Sequence, residues 1–299
     1  PTMNHPRILL AAAILLPTLA LATTALAATS VNERHPVASG GRVEVSNIAG
    51  KVTVRGWDRN EVQLTGTLAD GLSLEQDRSS NRVRWEVKYP RGRNNGDAQL
   101  ELRVPRAVEV QLGTVSADVD LSGVDLQRLA VNTVSGDLLV GGSAAEATLA
   151  TVSGDVNAQL KTPRLAARTV SGQLNIGGGA TGDVSVESVS GDVGMQTGRV
   201  QRVAVESVSG GITIRSSALA AGGSLRAETV SGDVSVQLPA STSAQLRVNS
   251  FSGDIRSDAG SVERPRHGPG SRLNTRLGSG DGDVSLESHS GDVRVNLGR

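Results

Sequence analysis

Apolar and polar residues alternate with period two through most of residues 114–293, around a short motif that returns nine times. The motif is Thr-Val-Ser-Gly-Asp-Val or a close variant. Seven of the eight steps between copies are 18 to 22 residues long, and the last step is 38. The copies begin at Thr114, Thr133, Thr151, Thr169, Ser188, Ser207, Thr229, Ser250 and Ser288. Self-similarity at a fixed short period marks a repeat architecture in which each copy forms one structural unit.

Each copy places an apolar pair on either side of its Ser-Gly. Leu129 and Val131 precede one copy of the motif, and Leu138 and Val140 follow it. The two pairs are out of phase by one residue, which a continuous strand does not allow because its side chains alternate strictly. The Ser-Gly is therefore predicted to be a corner or bulge that resets the alternation. Each copy predicts a strand, a corner, a second strand and a loop, and none predicts an amphipathic helix.

This pattern predicts an all-β fold and favours a β-solenoid of about 19-residue coils. Equivalent strands of such a solenoid stack in parallel, about 4.8 Å apart. An antiparallel β-sandwich, with the same strands paired through hairpins, is the alternative. The solenoid is favoured because the same residue type recurs in each column of the repeat. Stacking makes identical residues neighbours, whereas hairpin pairing gives no reason for a fixed column.

The first 27 residues have the composition of a signal peptide. Arg7 supplies positive charge, residues 8–26 are apolar, and residues 25–27 form a small-x-small cleavage site. With Met3 as the expected first residue, the mature chain begins near Ala28 and is exported to the periplasm or the cell surface. No other apolar stretch of the sequence approaches spanning length, so no transmembrane segment is expected after cleavage.

Residues 28–110 are predicted to form an N-terminal β cap and the first coils. Residues 43–54 are a degenerate tenth copy of the motif, after which the period is lost. Three longer alternating segments follow, at 61–68, 82–88 and 99–104. Solenoid ends expose apolar core and unpaired edges, and such segments would cover them. Residues 111–299 are predicted to be the repeat region, interrupted by an exposed loop within 257–283 that is rich in Pro and Gly.

The composition narrows the classes of partner. Lys and Arg together number 30, as do Asp and Glu, so the formal net charge is zero, and aromatic residues make up 1% of the chain. A nucleic-acid partner is therefore not expected, because it requires a basic surface and stacking aromatics. The chain has no cysteine. Neither a disulfide framework nor an acylated-cysteine anchor is expected, and stability must come from the stacked core.

Together these motifs resemble the bacterial putative-adhesin family, exported β-strand-repeat proteins known chiefly as a domain of unknown function. The resemblance rests on Gly-Lys-Val-Thr-Val-Arg-Gly-Trp-Asp at 50–58, Leu-Arg-Val-Pro at 102–105 and the Thr-Val-Ser-Gly-Asp-Val series. It implies a β-helical fold and a role in the cell envelope or at the cell surface. It brings no catalytic residues with it.

No catalytic, cofactor-binding or metal site is predicted from the remaining motifs. Residues 177–182 satisfy the dinucleotide pattern G-x-G-x-x-G, but a strand follows where that motif needs a helix, so a loop is predicted. The four histidines share no ligand spacing. They are His5, His35, His267 and His289. His289 occupies a column otherwise filled by Val and once by Phe251, which predicts that the column faces outward or lies at a corner.

Two acidic columns carry the remaining chemistry. The first lies near Arg168 and contains Glu187, Glu206, Glu228 and Glu287. It leaves a carbohydrate-active enzyme open, since glycoside hydrolysis uses paired carboxyls, although similar carboxylates on a polar face are typical of a solvated surface. The second contains Asp118, Asp137, Asp155, Asp192, Asp233, Asp254 and Asp292. Each is predicted to accept backbone N–H bonds at its own corner, with calcium bridging as the alternative.

The sequence thus predicts an exported, non-enzymatic β-solenoid that acts as a cell-envelope scaffold or an adhesin-like surface-binding module. Its expected partner is an envelope or surface protein or a glycan. The alternatives are a carbohydrate-active β-helix enzyme and a calcium-stiffened structural solenoid.

Overall fold

A computed structural model describes residues 28–90, 96–266 and 269–298. Within these ranges the chain forms strands, turns and bends without a helix, which confirms the all-β prediction. No helix in those ranges could therefore span a bilayer. The predicted signal peptide, residues 1–27, and His267 of the predicted loop lie outside the described residues.

Nineteen strands make up the described chain. The N-terminal strands are β1 (Thr29–Pro36), β2 (Arg42–Gly56), β3 (Glu61–Leu68), β4 (Ser73–Ser79), β5 (Arg82–Lys88) and β6 (Ala98–Val104). The strands that follow are β7 (Glu109–Asn132), β8 (Leu138–Ala150), β9 (Val156–Lys161), β10 (Arg164–Thr169), β11 (Leu174–Ser188), β12 (Val193–Ser209) and β13 (Ile212–Ser231). The last are β14 (Val234–Pro239), β15 (Ala244–Ser250), β16 (Ile255–Ser257), β17 (Ser271–Leu277), β18 (Gly282–Ser290) and β19 (Val293–Gly298).

The Ser-Gly corner resets the alternation as predicted. Thr133 is buried, Val134 and Ser135 are both exposed, and Gly136 is buried again. Two successive exposed residues shift the phase by one. The apolar residues on both sides of the corner therefore point into one hydrophobic cluster. The apolar pairs of the repeat are predicted to face inward, and members of these pairs from several copies are all fully buried, namely Val131, Val186, Val205, Ile214 and Val236.

Parallel pairing between successive repeats builds the solenoid-like stack. Leu138 pairs with Val156 and Val156 with Leu174, so equivalent positions of the repeat are neighbours. The same parallel register links β11 to β12 and β12 to β13. Antiparallel pairs between strands join β1 to β3, β3 to β6, β4 to β5 and β15 to β17. Hairpin-like pairing of the described strands is thus confined to the two ends of the stack, where it covers the edges.

The order of the stack departs from the order of the sequence at its C-terminal end. β18 lies between β13 and β15, and β19 lies between β14 and β16, all in parallel. The chain first forms the outer coil of β15 and β16. It then turns back through β17, which pairs antiparallel with β15, and inserts its last repeat inside. Asp292 is the last aspartate of the column in the sequence, but in the stack it lies between Asp233 and Asp254.

The N-terminal end is built in the same way. Within β2, Val45 pairs with Trp85 of β5 on one side and with Leu112 of β7 on the other. The degenerate copy of the motif keeps the register of the repeat, because Asn47 pairs with Thr114. β2 is therefore an inner strand, although it precedes β3 to β6 in the sequence.

The corner glycines are required by the close approach of neighbouring backbones. A Cβ at Gly191 would lie 1.9 Å from the carbonyl oxygen of Gly172 in the preceding coil. Eight corner glycines share this property, with a range of 1.9 to 2.4 Å: Gly136, Gly154, Gly172, Gly191, Gly210, Gly232, Gly253 and Gly291. Only glycine allows the coils to stack this closely at the corner.

Candidate functional site: a groove beside the corner column

At several corners, a buried Thr or Ser hydroxyl accepts a hydrogen bond from the backbone N–H of the corner glycine. The backbone N–H of Gly154 donates to Thr151 Oγ1 at 2.9 Å, and that of Gly191 donates to Ser188 Oγ at 3.0 Å. Gly136 and Gly172 bond to Thr133 and Thr169 in the same way. This role was missed by the sequence analysis, although Thr or Ser three residues before the glycine is a signal for such a turn. The tight turn leaves the residue that follows the Thr or Ser, usually a valine, exposed on the outside.

The corner serines link one coil to the next. The backbone N–H of Ser190 donates to the carbonyl oxygen of Val170 at 2.8 Å, and that of Ser209 donates to Val189 at 2.7 Å. Ser153 and Ser171 repeat this bond. Polar backbone groups of the corner are thus used within the stack, and the surface presents side chains.

The residues after the buried hydroxyls form an exposed apolar line, which we call the valine stripe. In stack order it contains Val115, Val134, Val152, Val170, Val189, Val208, Val230, His289 and Phe251. The valines and Phe251 are 42% to 52% exposed. The rings of His289 and Phe251 stack with centroids 4.7 Å apart. The prediction that this column faces outward is confirmed. A valine at an outward position in seven copies was the sequence signal for a surface feature.

The residues before the buried hydroxyls form a charged line, the acidic row, defined as Glu187, Glu206, Glu228 and Glu287. Register makes them four consecutive neighbours, with Arg168 beside Glu187. All four glutamates are recognisable as one column in the sequence. The position of Glu287 beside Glu228 is not, because the copy that begins at Ser250 lies between them in the sequence.

A groove of about 820 Å³ lies between the valine stripe and the acidic row. It runs from the coil of Thr151 to the coil of His289 and is open to solvent along its length. Buried hydroxyl residues such as Thr169 and Ser188 lie between the two lines. Ser207, 6% exposed, also lines the groove, and its hydroxyl has no hydrogen-bond partner among the described residues.

The charges of the groove sum to a negative value. Arg168 lies 3.2 Å from Glu187, and Arg226 lies 2.5 Å from Glu228. The hydrogen bond from Arg226 to Glu228 raises the pKa of Arg226, and the charges of Glu206 and Glu287 add to this. Four glutamates and two arginines line the groove, so its formal charge is 2 − 4 = −2. An open groove of this kind can hold a ligand by apolar contact and ion pairs. It does not provide the water-excluded enclosure that strengthens catalytic electrostatics.

The aspartates of the second acidic column accept backbone hydrogen bonds from the neighbouring coil. The backbone N–H of Asp155 donates to Asp137 Oδ1 at 2.9 Å, and that of Gln173 donates to Asp155 Oδ1 at 2.9 Å. The other members with such a bond are Asp118, Asp192, Asp233 and Asp292. The prediction of backbone N–H donors is confirmed, but their placement at the same corner is wrong. The neighbouring coil is one strand spacing away, so its N–H is within reach. No three acidic, histidine or cysteine side chains cluster as metal ligands within the described chain.

The G-x-G-x-x-G motif and the histidines do not come together at the groove. Residues 177–182 belong to β11 and are not a loop as predicted, and the strand bends at Gly178, Gly179 and Gly182, whose φ angles are positive. A strand follows them, as the sequence indicated. His35 Nε2 contacts the carbonyl oxygen of Ser79 at 3.0 Å, far along the chain from His289.

Comparison with known proteins gives a family match over nearly the whole described chain. The sequence model of the Toastrack DUF4097 family matches residues 29–164 and again residues 144–296. This match confirms the resemblance to the putative-adhesin family. Among proteins of curated function, none matches the sequence.

Several crystal structures are similar at low sequence identity. A "putative lipid binding protein" from Parabacteroides distasonis is 13% identical, with a TM-score of 0.49 over 89% of this chain and 96% of that one. A "putative adhesin" from Parabacteroides merdae is 11% identical, with a TM-score of 0.48 over 89% and 95%. A "putative adhesin" from Bacteroides fragilis is 10% identical, with a TM-score of 0.44 over 89% and 97%.

Proposed function

Because this chain belongs to the Toastrack DUF4097 family, we propose that it is an exported, non-enzymatic surface-binding module of the cell envelope. It acts as an adhesin-like scaffold, a β-solenoid of about 19-residue coils. Residues 28–110 cap one end, and residues 111–299 carry the repeat. Cleavage near Ala28 releases the mature chain to the periplasm or the cell surface.

The valine stripe is the observation that supports this proposal. Aliphatic side chains exposed singly are ordinary, but a contiguous apolar line rimmed by charged residues marks an interaction site. Here the line extends over nine neighbouring coils, and for five of them the acidic row and Arg168 form the other wall. The fold places these residues on the outside, where they contribute nothing to the core.

Hydrogen bonds between coils hold this surface in shape. Serine N–H groups and aspartate carboxylates bond to the neighbouring coil along the stack, as those of Ser171 and Asp155 do. A surface that is already ordered loses little conformational entropy when it binds. Such rigidity suits a binding scaffold.

The test is binding of the purified mature chain to separated envelope fractions of the producing bacterium. These are peptidoglycan, lipid vesicles made from its membranes, and intact washed cells. We expect saturable binding to at least one fraction, weakened at least tenfold by the triple variant Val170→Ser, Val189→Ser and Val208→Ser. The matched control is Leu139→Ser, since Leu139 is also exposed but lies outside the stripe. Binding to no fraction, or release of soluble sugar from one, would overturn the proposal.

A further inference from the structure

The length of the groove sets the size of its occupant. The groove is lined by six neighbouring coils, from that of Thr151 to that of His289. Five steps of about 4.8 Å give a length of about 24 Å. An α-helix rises 1.5 Å per residue and would cover this length with about 16 residues.

The spacing of the stripe distinguishes a helix from a strand. The stripe presents one valine about every 4.8 Å. A helix presents one apolar residue per turn of about 5.4 Å, so over five steps its apolar residues move out of register with the valines by about 3 Å. A strand presents one about every 6.7 Å, so its residues move out of register by about 10 Å. Strand addition is further disfavoured because the corner N–H groups already bond within the stack, as Ser190 does with Val170.

The charge of the groove sets the chemistry of the occupant. Arg168 and Arg226 are already paired with Glu187 and Glu228, so the remaining negative charge belongs to Glu206 and Glu287. A second copy docked groove to groove would bring acidic rows together, and anionic lipid or nucleic acid would be repelled. A cationic segment is complementary. An aliphatic centre beside a charged rim is also the anatomy of a protein–protein interface.

From this length, spacing and charge we infer that the groove binds a helical segment of a partner protein, whose apolar face lies on the valine stripe and whose Lys or Arg residues face the acidic row. This inference rests on the proposed function and names the class of partner.

The probe is a fluorescein-labelled 18-residue peptide of Leu, Ala and Lys, with leucines on one helical face and lysines beside them. Its binding to the mature chain is followed by fluorescence anisotropy at low and high salt. We expect saturable binding that weakens at high salt. The variant Glu206→Gln/Glu287→Gln should weaken it at least fivefold, and the triple valine variant at least tenfold. Leu139→Ser and Glu101→Gln, at two residues that do not line the groove, are the controls and should bind like the parent.

Two further peptides test charge and helicity separately. One carries Glu in place of each Lys, and the other carries a central Pro that breaks the helix. If either binds as tightly as the parent peptide, or if the valine variant still binds while its melting curve matches the parent's, the inference is wrong. Envelope binding that the peptide does not compete with would overturn the inference and leave the proposed function standing. If the peptide binds but no envelope fraction does, the proposed function is wrong and the inference about the groove stands.

Discussion

The backbone N–H of Asp292 donates a 2.8 Å hydrogen bond to Oδ1 of Asp233, although 59 positions separate the two residues. The N–H of Asp254 donates in turn to Asp292 at 2.9 Å. The last motif of the sequence therefore lies inside the stack, between two earlier ones. The same insertion brings Glu287 beside Glu228 and completes the acidic row.

Cysteine pairs can test this stack order directly, because the chain has no cysteine of its own. Ser235 pairs with Arg294 on neighbouring strands. The variant Ser235→Cys/Arg294→Cys should form a disulfide in air, seen as a mobility shift on non-reducing gels. The control is Ser235→Cys/Arg256→Cys, whose residues flank β19 at about 9.6 Å, beyond the reach of a disulfide. Cross-linking of the control pair alone would mean that the coils stack in sequence order.

Gly191→Ala should destabilise the fold by about 1 to 3 kcal/mol, because the new Cβ would overpack the corner against Gly172. For a domain of this size, the corresponding fall in Tm is about 2 to 10 °C. Gly113→Ala is the matched control, since the nearest atom to its new Cβ is 3.9 Å away. Thermal melting followed by circular dichroism measures both. Equal Tm values would contradict the close approach at the corner.

Substitution by aspartate should have very different effects on stability at two valines of one repeat. Val205 is fully buried, and Val208 is 50% exposed. Val205→Asp should unfold at least its own coils, since an unpaired buried carboxylate costs several kcal/mol. Val208→Asp should leave the melting curve near that of the parent. If both variants melt like the parent, the assignment of inward and outward faces is wrong.

The aspartate column should contribute to the stability of the fold through its acceptor oxygens. Asp155→Ala removes the bond to Gln173 and should lower stability by about 1 kcal/mol, because hydrogen bonds to exposed charged groups are partly replaced by water. Asp155→Asn keeps an oxygen in that position and should retain most of the stability. Urea unfolding of the two variants separates the acceptor role from the charge.

Calcium should have little effect on the same column. One oxygen of each bonded carboxylate already accepts a backbone N–H, and Gln173 and Gly211 interrupt the column. We expect Tm values in chelator, millimolar calcium and millimolar magnesium to agree within about 1 °C, because only a ligand of the folded state raises Tm. A calcium-specific rise of many degrees would make the aspartates ligands.

Asp120 should give the fold an acid-sensitive contribution. Arg55 lies 2.9 Å from its carboxylate, and this hydrogen bond holds the pKa of Asp120 below the ordinary value of 3.8. A lowered pKa stabilises the fold above the pKa of the unfolded chain, and the contribution is lost as pH falls through the folded value. Asp120→Asn should therefore cost about 1 kcal/mol at pH 7, and this cost should shrink as pH falls below 3.8 and through the lowered pKa of Asp120. Urea unfolding over a series of pH values from 7 downwards measures this, with Asp58→Asn, 80% exposed, as the control.

The features predicted correctly are those that local alternation determines. Val205 and Val208 could be assigned to opposite faces because side chains alternate strictly and the Ser-Gly shifts their phase once. The outward valine column followed from the one copy that places His289 there. The parallel neighbours Glu187 and Glu206 followed from the regular step between their copies.

The order of the coils was decided only by the tertiary structure. All nine copies offer a corner serine to their neighbours and eight offer a corner glycine, so the sequence does not distinguish one stacking partner from another. The hairpin of β15 and β17 occupies the outer edge and sends β18 back inside. That return joins Glu287 to the acidic row and sets its charge. The amino-acid pattern thus determined which residues face inward and which face outward, because alternation acts within a few residues. Which coils became neighbours depended on contacts between distant segments, and the groove depends on those neighbours.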